Sequence, residues 1–247
     1  MATKNRIRPK YFEYQEKIKK TYQKLKEVYE EIKQSYTEIV FRFALMAEYK
    51  DEATGTHLVR IADYSTEIAK GLNLSKKDRY YLRYASPMHD IGKLIVPDNI
   101  LKKEGGLTPE EREIIKKHTT LGADIFKGSR SPILKVARVI ALTHHERYDG
   151  TGYPQGLKGK QIPLFGRIVA LADVFDALTT KRPYKEPYPF EDAILMVKQE
   201  AKRHFDPDIV RAFLRRKKNI KKIWQATKDI ESFIAEYSFG NEKGQGS

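Results

Sequence analysis

The sequence contains no cysteine and a single tryptophan. Without thiols there can be no disulfide scaffold, no thiolate zinc site and no cysteine nucleophile, and the chain is in keeping with a reducing compartment. Long apolar runs are also missing. No stretch approaches the about 18 residues that a membrane-spanning helix needs. The opening MATKNRIRPKYFEYQEK carries charge but no apolar centre, so no secretory leader is expected, and the expected location is the cytoplasm. Few segments alternate with a period of two, so almost no sheet is expected. Acidic charge is scarce: 33 Asp and Glu stand against 47 Lys and Arg, a formal net charge of +14, with a pI of about 9.6. Such a surplus suits phosphates, nucleotides, nucleic acid or an anionic membrane face. What is present is a chain of 247 residues, 40% hydrophobic. That is enough for a core and for one large domain with appendages.

The chain divides into four stretches. Residues 1–50 hold a basic arm and a long amphipathic helix expected over 11–49. Its apolar residues Ile18, Tyr22, Leu25, Tyr29, Ile32, Tyr36, Ile39, Phe43 and Met46 alternate steps of four and three, a heptad seam. Two readings fit it: docking on the protein's own domain, or a dimer-forming or signal-carrying helix. The second would make a homodimer through this helix. Residues 51–214 are richer in His, Gly and Pro, with helices expected near 55–72, 76–91, 109–127, 131–147, 164–180, 189–203 and 206–214. Ser75 and Thr108 stand at N-cap positions, and Thr108 with Glu111 forms a strict capping box. The run YDGTGYPQGLKGKQIPL (148–164) is too rich in Gly and Pro for helix and reads as a structured, functional loop. Residues 215–239 read as a C-terminal amphipathic helix, and 240–247 as a disordered tail. The lysines are spread along the chain, so no specific nucleic-acid partner is expected.

The chemistry lies in the histidines. His57, His89, His118, His144 and His145 fall in one domain, with His89 beside Asp90 and His144 beside His145. A lone histidine on an apolar face is usually a core residue, but five together point to a shared metal site. Imidazole and carboxylate donors suit Fe, Mn, Zn, Co or Ni. If these neighbours lie on helices, they point about 100° apart, so each pair suits two ions better than one. Asp90, with two oxygens, could bridge them. Two metals can stabilise both the entering and leaving oxygens of a phosphoryl displacement.

HDIGK (89–93) followed by HHERYDGTGYP (144–154) resembles the HD-GYP family of the HD phosphohydrolase superfamily. The likeness runs through TGTHLVR (54–60), KLIVPDNIL (93–101), GLTPEEREIIKKHTTLGADIF (106–126) and LADVFDALTTKRPYK (171–185), and ends near FDPDIVRAFL (205–214). It implies an all-α bundle built on the seven helices above, and hydrolysis of cyclic di-GMP to pGpG or GMP by a hydroxide bridging two metals. Carried over by motif, the metal ligands are His57, His89, Asp90, His118, His144, His145 and Asp173, with Asp90 bridging. Lys93 would sit near the scissile phosphate and join Asp90 in catalysis. Gly152, Tyr153 and Pro154 would shape the substrate pocket, and Arg182 and Lys185 would touch phosphate or guanine. Iron or manganese is the implied metal. Family members with Glu four residues before the first histidine use it to hold a third metal. Here that position is Ala53, with Glu52 one residue out of register, which implies two metals and favours pGpG as product. His204 matches no ligand and reads as structural, and Glu146, Arg147 and Asp149 read as loop-shaping. The alternatives are a mixed cyclic GMP–AMP dinucleotide as substrate, or an inactive receptor that only binds cyclic di-GMP.

Overall fold

The computed structural model describes residues 4–51, 55–181 and 186–226, the side chains of 4–10 and 51 excepted. Glu52, Ala53, Thr54, Arg182 and Lys185 lie outside the described residues, as do 227–239 of the expected C-terminal helix and the expected tail. The described residues are helical, without strands; one isolated bridge joins Ala201 and Phe205. Among them, no helix is long and apolar enough to cross a membrane. Two compact units are present: the first holds α1 (Lys4–Asp51) up to Ile39, and the second starts at Val40.

In the first unit, Ile18, Tyr22, Leu25, Tyr29 and Ile32 of the seam are exposed. In the second, α1 buries Val40, Phe41, Ala44, Ala47 and Glu48, while Ile39 before them and Phe43 and Met46 among them stay more than half exposed. Within the second unit, the buried face of α1 is therefore not the heptad seam.

The second unit is a bundle. The helices after α1 are α2 (Thr56–Gly71), α3 (Lys76–Ala85), α4 (Asp98–Leu101), α5 (Pro109–Lys116), α6 (His118–Ile125), α7 (Pro132–Thr143), α8 (Leu164–Thr179), α9 (Phe190–Gln199), α10 (Pro207–Arg215) and α11 (Lys217–Gln225). The expected caps form: Ser75 Oγ accepts from Asp78 N at 3.0 Å, and Thr108 with Glu111 closes a capping box. Helix α2 lies at the centre, against α3, α8, α10 and α11. It buries Leu58, Ile61, Tyr64 and Ile68. Phe175 on α8 meets Tyr64, Phe190 and Phe213 with edge-on rings, a geometry that adds to the gain from burial. Charged tethers close the bundle. Glu67 of α2 accepts from Lys70 and Arg216, and Arg167 of α8 donates to Asp206.

Two expected helices break, and both breaks sit at the site. The helix expected over 76–91 stops at Ala85, because Pro87 brings no N–H and the chain tightens into 3-10 turns at Ser86–Met88 and Ile91–Ile95. His89 and Asp90 thus lie in a turn, not on a helix. The helix expected over 109–127 parts at Lys117. At the break the hydroxyls of Thr119 and Thr120 donate to the carbonyls of Lys116 and Lys117, while Lys117 O keeps its backbone bond from Leu121 N at 2.9 Å. His144 and His145 likewise fall just past the end of α7. Loop 148–164 is irregular as expected, apart from one 3-10 turn at Gly159–Gln161.

Candidate metal centre

The seven histidines and aspartates predicted as ligands come together in two groups. Asp90, His118, His144 and His145 form one, and His57, His89 and Asp173 the other; within each, donor atoms lie within 4.8 Å of one another. The doublet His144–His145 serves a single group, contrary to the helix-angle expectation. Past the helix end the two rings can turn the same way, and their centroids are 4.1 Å apart.

Asp90 stands between the groups. Its Oδ1 is 3.2 Å from His118 Nε2 and 3.4 Å from His144 Nε2. Its Oδ2 is 3.4 Å from His89 Nε2 and 2.7 Å from Lys93 Nζ. Asp173 Oδ1 lies 3.7 Å from His57 Nε2 and 3.9 Å from His89 Nε2. Yet Asp90 Oδ1 and His89 Nε2 are buried without a hydrogen bond, a state that proteins seldom leave uncompensated. A cation among these donors would satisfy both, so the residues fit the metal that their chemistry implies.

The outer ring nitrogens are already occupied. Nδ1 of His89 is 3.0 Å from Ser86 O, that of His118 is 2.7 Å from Ile115 O, and that of His144 is 3.0 Å from Ala141 O. Nδ1 of His57 is 2.8 Å from Asp176 Oδ2. Each of these contacts fixes the tautomer that leaves Nε2 free to bind, the arrangement that raises ligand basicity. The breaks in the chain explain the pattern: the carbonyls at Ser86, Ile115 and Ala141 belong to the turns of helix leading into each histidine.

Electrostatics agree with the geometry. Burial would raise the Asp90 carboxyl, but Lys93 and His89 hold it well below the usual carboxylate range. Burial pushes His144 and His145 down, toward the neutral form a metal needs. His57 and His89 go the other way: burial lowers His89 too, but the Asp90 and Asp173 carboxylates raise it. At His57 the effect is larger. Burial works against its charge, but the Asp176 carboxylate, aided by Glu48 and Asp173, carries it up to about 9.

Two side chains here escaped the sequence reading: Arg60 and Asp176. Arg60 Nε and Nη2 donate to Asp176 at 2.5 and 2.9 Å, so Asp176 is held while it holds His57. The signal was present, since Arg60 follows His57 by three residues and Asp176 follows Asp173 by three, one helical turn each. Burial would raise the Asp176 carboxyl; Arg60 and His57 take it down to about 2. A carboxyl lowered from 3.8 to about 2 contributes about 2 kcal/mol of stability, present above about pH 4 and lost as pH falls toward 2. Asp176→Asn should remove that acid limb in urea titrations and weaken metal binding by about 10–100-fold in chelator competition. Unchanged affinity would show that Asp176 does not orient His57.

The loop signature sits over the first group. The Tyr153 ring stacks on His145 at 4.8 Å and 24°. Gly152 is compelled by contact: a Cβ there would lie 2.2 Å from Arg147 N and 2.5 Å from Glu146 Cα. Glu146, 1% exposed, accepts from Gln155 N and Leu157 N at 2.7 and 2.9 Å. Tyr148 N and Asp149 N donate to the carbonyls of His204 and Arg203. Pro154 follows Tyr153 through a cis bond. His204 joins neither group and stacks on Phe205.

Comparison with known proteins places this architecture. The sequence profile of the HD domain matches residues 43–209. A cyclic di-GMP phosphodiesterase of Thermotoga maritima is 45% identical over 188 residues, covering 76% of this chain and 51% of that protein. A 3'3'-cGAMP-specific phosphodiesterase of Vibrio cholerae is 41% identical over 176 residues, covering 71% of this chain and 34% of that one. The chain thus spans about half or less of the length of these relatives. In fold, it resembles the solved structure of a cyclic GMP-AMP specific phosphodiesterase of Vibrio cholerae, with a TM-score of 0.58 at 20% identity, covering 83% of this chain and 53% of that one. The chain belongs to the HD-domain family, and its HDIGK turn and GYP loop set it in the HD-GYP branch.

Proposed function

We propose that this chain is a metal-dependent phosphodiesterase that opens cyclic di-GMP. The observation that carries this is the division of seven donors into two groups with one Asp90 oxygen turned to each. The donor set, nitrogen and oxygen only, suits two iron or manganese ions. Asp90 would bridge them, His118, His144 and His145 would hold one, and His57, His89 and Asp173 the other. Such ions supply Lewis acidity to a phosphoryl group and lower the pKa of water. The protein's own residues do the rest. Lys93, beside Asp90, donates to the phosphate and offsets the charge that builds on it. Gly152, Tyr153 and Pro154 line the approach, with Tyr153 offering a ring face to the substrate. Arg182 and Lys185 add cationic contacts for phosphate or guanine. The surplus of positive charge draws in a dianionic dinucleotide, more weakly as salt rises. Such a nucleotide substrate supports a cytoplasmic site of action. Residues 51–214 are the catalytic part of the chain in this reading.

The test is anaerobic incubation with Mn²⁺ or Fe²⁺ and cyclic di-GMP, with products separated by chromatography. The expected result is pGpG, formed faster than any GMP. The similarity to a cGAMP-specific relative makes the mixed dinucleotide the comparison substrate; faster turnover of it would move the reading to that substrate. Tight binding of cyclic di-GMP without product would make the chain a receptor.

A homodimer through α1 belongs to the same proposal. The exposed seam of Ile18, Tyr22, Leu25, Tyr29 and Ile32 is long enough, with aromatic side chains that bury about 150–250 Å² each, to reach the about 1,000 Å² of a specific interface. Lys19, Lys26 and Lys33 flank it on one side and Thr21, Val28 and Ser35 on the other. A parallel pair sets lysine against the uncharged side, whereas an antiparallel pair sets lysine against lysine. In this Cys-free chain, Leu25→Cys should oxidise readily to a covalent dimer, and Glu27→Cys, off the seam, should not. A monomer by light scattering would contradict the pairing.

A further inference from the structure

Lys50, in the last turn of α1, has no part in the chemistry above, yet its ammonium is fully engaged. Its Nζ donates to Leu94 O at 2.8 Å and to Val96 O at 2.6 Å, and lies 3.2 Å from Asp98 Oδ1. An ammonium has three protons, and these are three acceptors. The side chain is 18% exposed, which strengthens such charge-assisted bonds. Both carbonyls stand at the end of the Ile91–Ile95 turn, where a 3-10 run leaves its last carbonyls without a partner of its own. A lysine that reaches them caps the turn. This turn follows Asp90 directly and contains Lys93. On its other side, Gly92 lies against the backbone of α6. Lys50 therefore grips, from α1, the segment that carries the central carboxylate and the lysine beside it.

We propose that Lys50 is a positioning residue for this reaction: by capping the Ile91–Ile95 turn it sets where Asp90 and Lys93 stand. The inference rests on the reading above of Asp90 as the bridge and Lys93 as a phosphate contact. The path between them is short. Lys93 O accepts from Val96 N at 3.1 Å, and Asp90 O accepts from Lys93 N at 2.9 Å. A shift of Val96 therefore passes along the backbone of the turn to both residues, whose side chains are themselves paired at 2.7 Å. A displacement of about 1 Å at a reacting group costs about a hundredfold in rate. The anchor is firm, because Val40, Phe41, Ala44 and Ala47 bury the same stretch of α1 in the second unit. Lys50 belongs to neither donor group, so it acts through the turn and not on a ligand. Nothing in the sequence marks it: it is one lysine among many in a basic helix, 44 residues before Leu94.

The test compares the intact chain with Lys50→Met, which keeps the stem and removes the ammonium, and with Lys50→Arg, which keeps a cationic donor. Mn²⁺ binding is measured by competition with a chelating dye, kcat and KM for cyclic di-GMP at saturating Mn²⁺, and stability by melting the metal-free proteins. Lys50→Met should lower kcat by about tenfold to a hundredfold while KM moves less than about threefold. It should also weaken at least one Mn²⁺ site by about tenfold. Lys50→Arg should recover most of both losses. Unchanged kcat and Mn²⁺ constants in Lys50→Met would overturn the inference, whether or not the protein melts lower, since Lys50 would then only fasten α1. Equal losses in Lys50→Arg would overturn it too, because the donors would not be what matters. A parent chain that binds Mn²⁺ but leaves cyclic di-GMP intact would refute the proposed reaction, and the inference with it. A parent chain that binds no Mn²⁺ would remove the metal reading and the inference together.

Discussion

Replacing Asp90 by Asn is expected to remove at least one metal ion per chain and to lower hydrolysis of cyclic di-GMP at least a thousandfold, about 4 kcal/mol of transition-state stabilisation. The reason is positional. Asp90 Oδ1 faces His118 and His144 at 3.2 and 3.4 Å, and Oδ2 faces His89 at 3.4 Å. Asn has the same shape, so the turn that carries it should still form, but its amide offers one oxygen and no charge. One group of donors then loses its share of the bridge. Lys93, 2.7 Å from Oδ2, also loses the carboxylate it pairs with, which in the proposed reading holds it toward the phosphate. Metal analysis and rate are read on the same sample, with circular dichroism to confirm the fold. Two ions retained at full rate would show that Asp90 is not the bridge.

Gly92→Ala is expected to cost about 3 kcal/mol, a fall of about 6–12 °C in melting temperature for a domain of this size. The Ile91–Ile95 turn crosses α6 so closely that a Cβ at residue 92 would lie 1.9 Å from His118 O and 2.6 Å from Gly122 N. Both atoms are backbone, so no side chain can swing aside. Relief comes only by moving the turn away from α6, which separates Asp90 from His118 and should weaken metal binding as well. Gly106→Ala is the control, since nothing lies within 4 Å of a Cβ there. An unchanged melting temperature for Gly92→Ala would mean that this crossing is looser than the backbone distances require.

Much of this was legible in the sequence, for physical reasons that differ from residue to residue. The caps at Ser75 and Thr108 are local chemistry, complete within four residues, and both form as expected. The loop at 148–164 is set by its glycines and prolines, and its need for Gly152 is a close backbone approach. The place of Asp90 between two donor groups is reached by another route than the expected one of adjacent helix residues, because Pro87 ends α3 and puts His89 and Asp90 in a turn. Two of its neighbours, His144 and His145, join one group for the same kind of reason. Less was legible where the cause is tertiary. Arg60 and Asp176 are 116 residues apart and meet only because α2 lies against α8. Glu48 is hidden by the helix that carries it: its acidic side chain resembles the solvated charges upstream, and only burial separates it from them.

In the proposed reading two ions sit in the two donor groups and share Asp90. Crystals of the protein loaded anaerobically with Mn²⁺ test it directly through anomalous scattering. Two peaks are expected, one enclosed by Asp90, His118, His144 and His145, the other by His57, His89 and Asp173, with an Asp90 oxygen on each. A single peak, or peaks away from these residues, would contradict it.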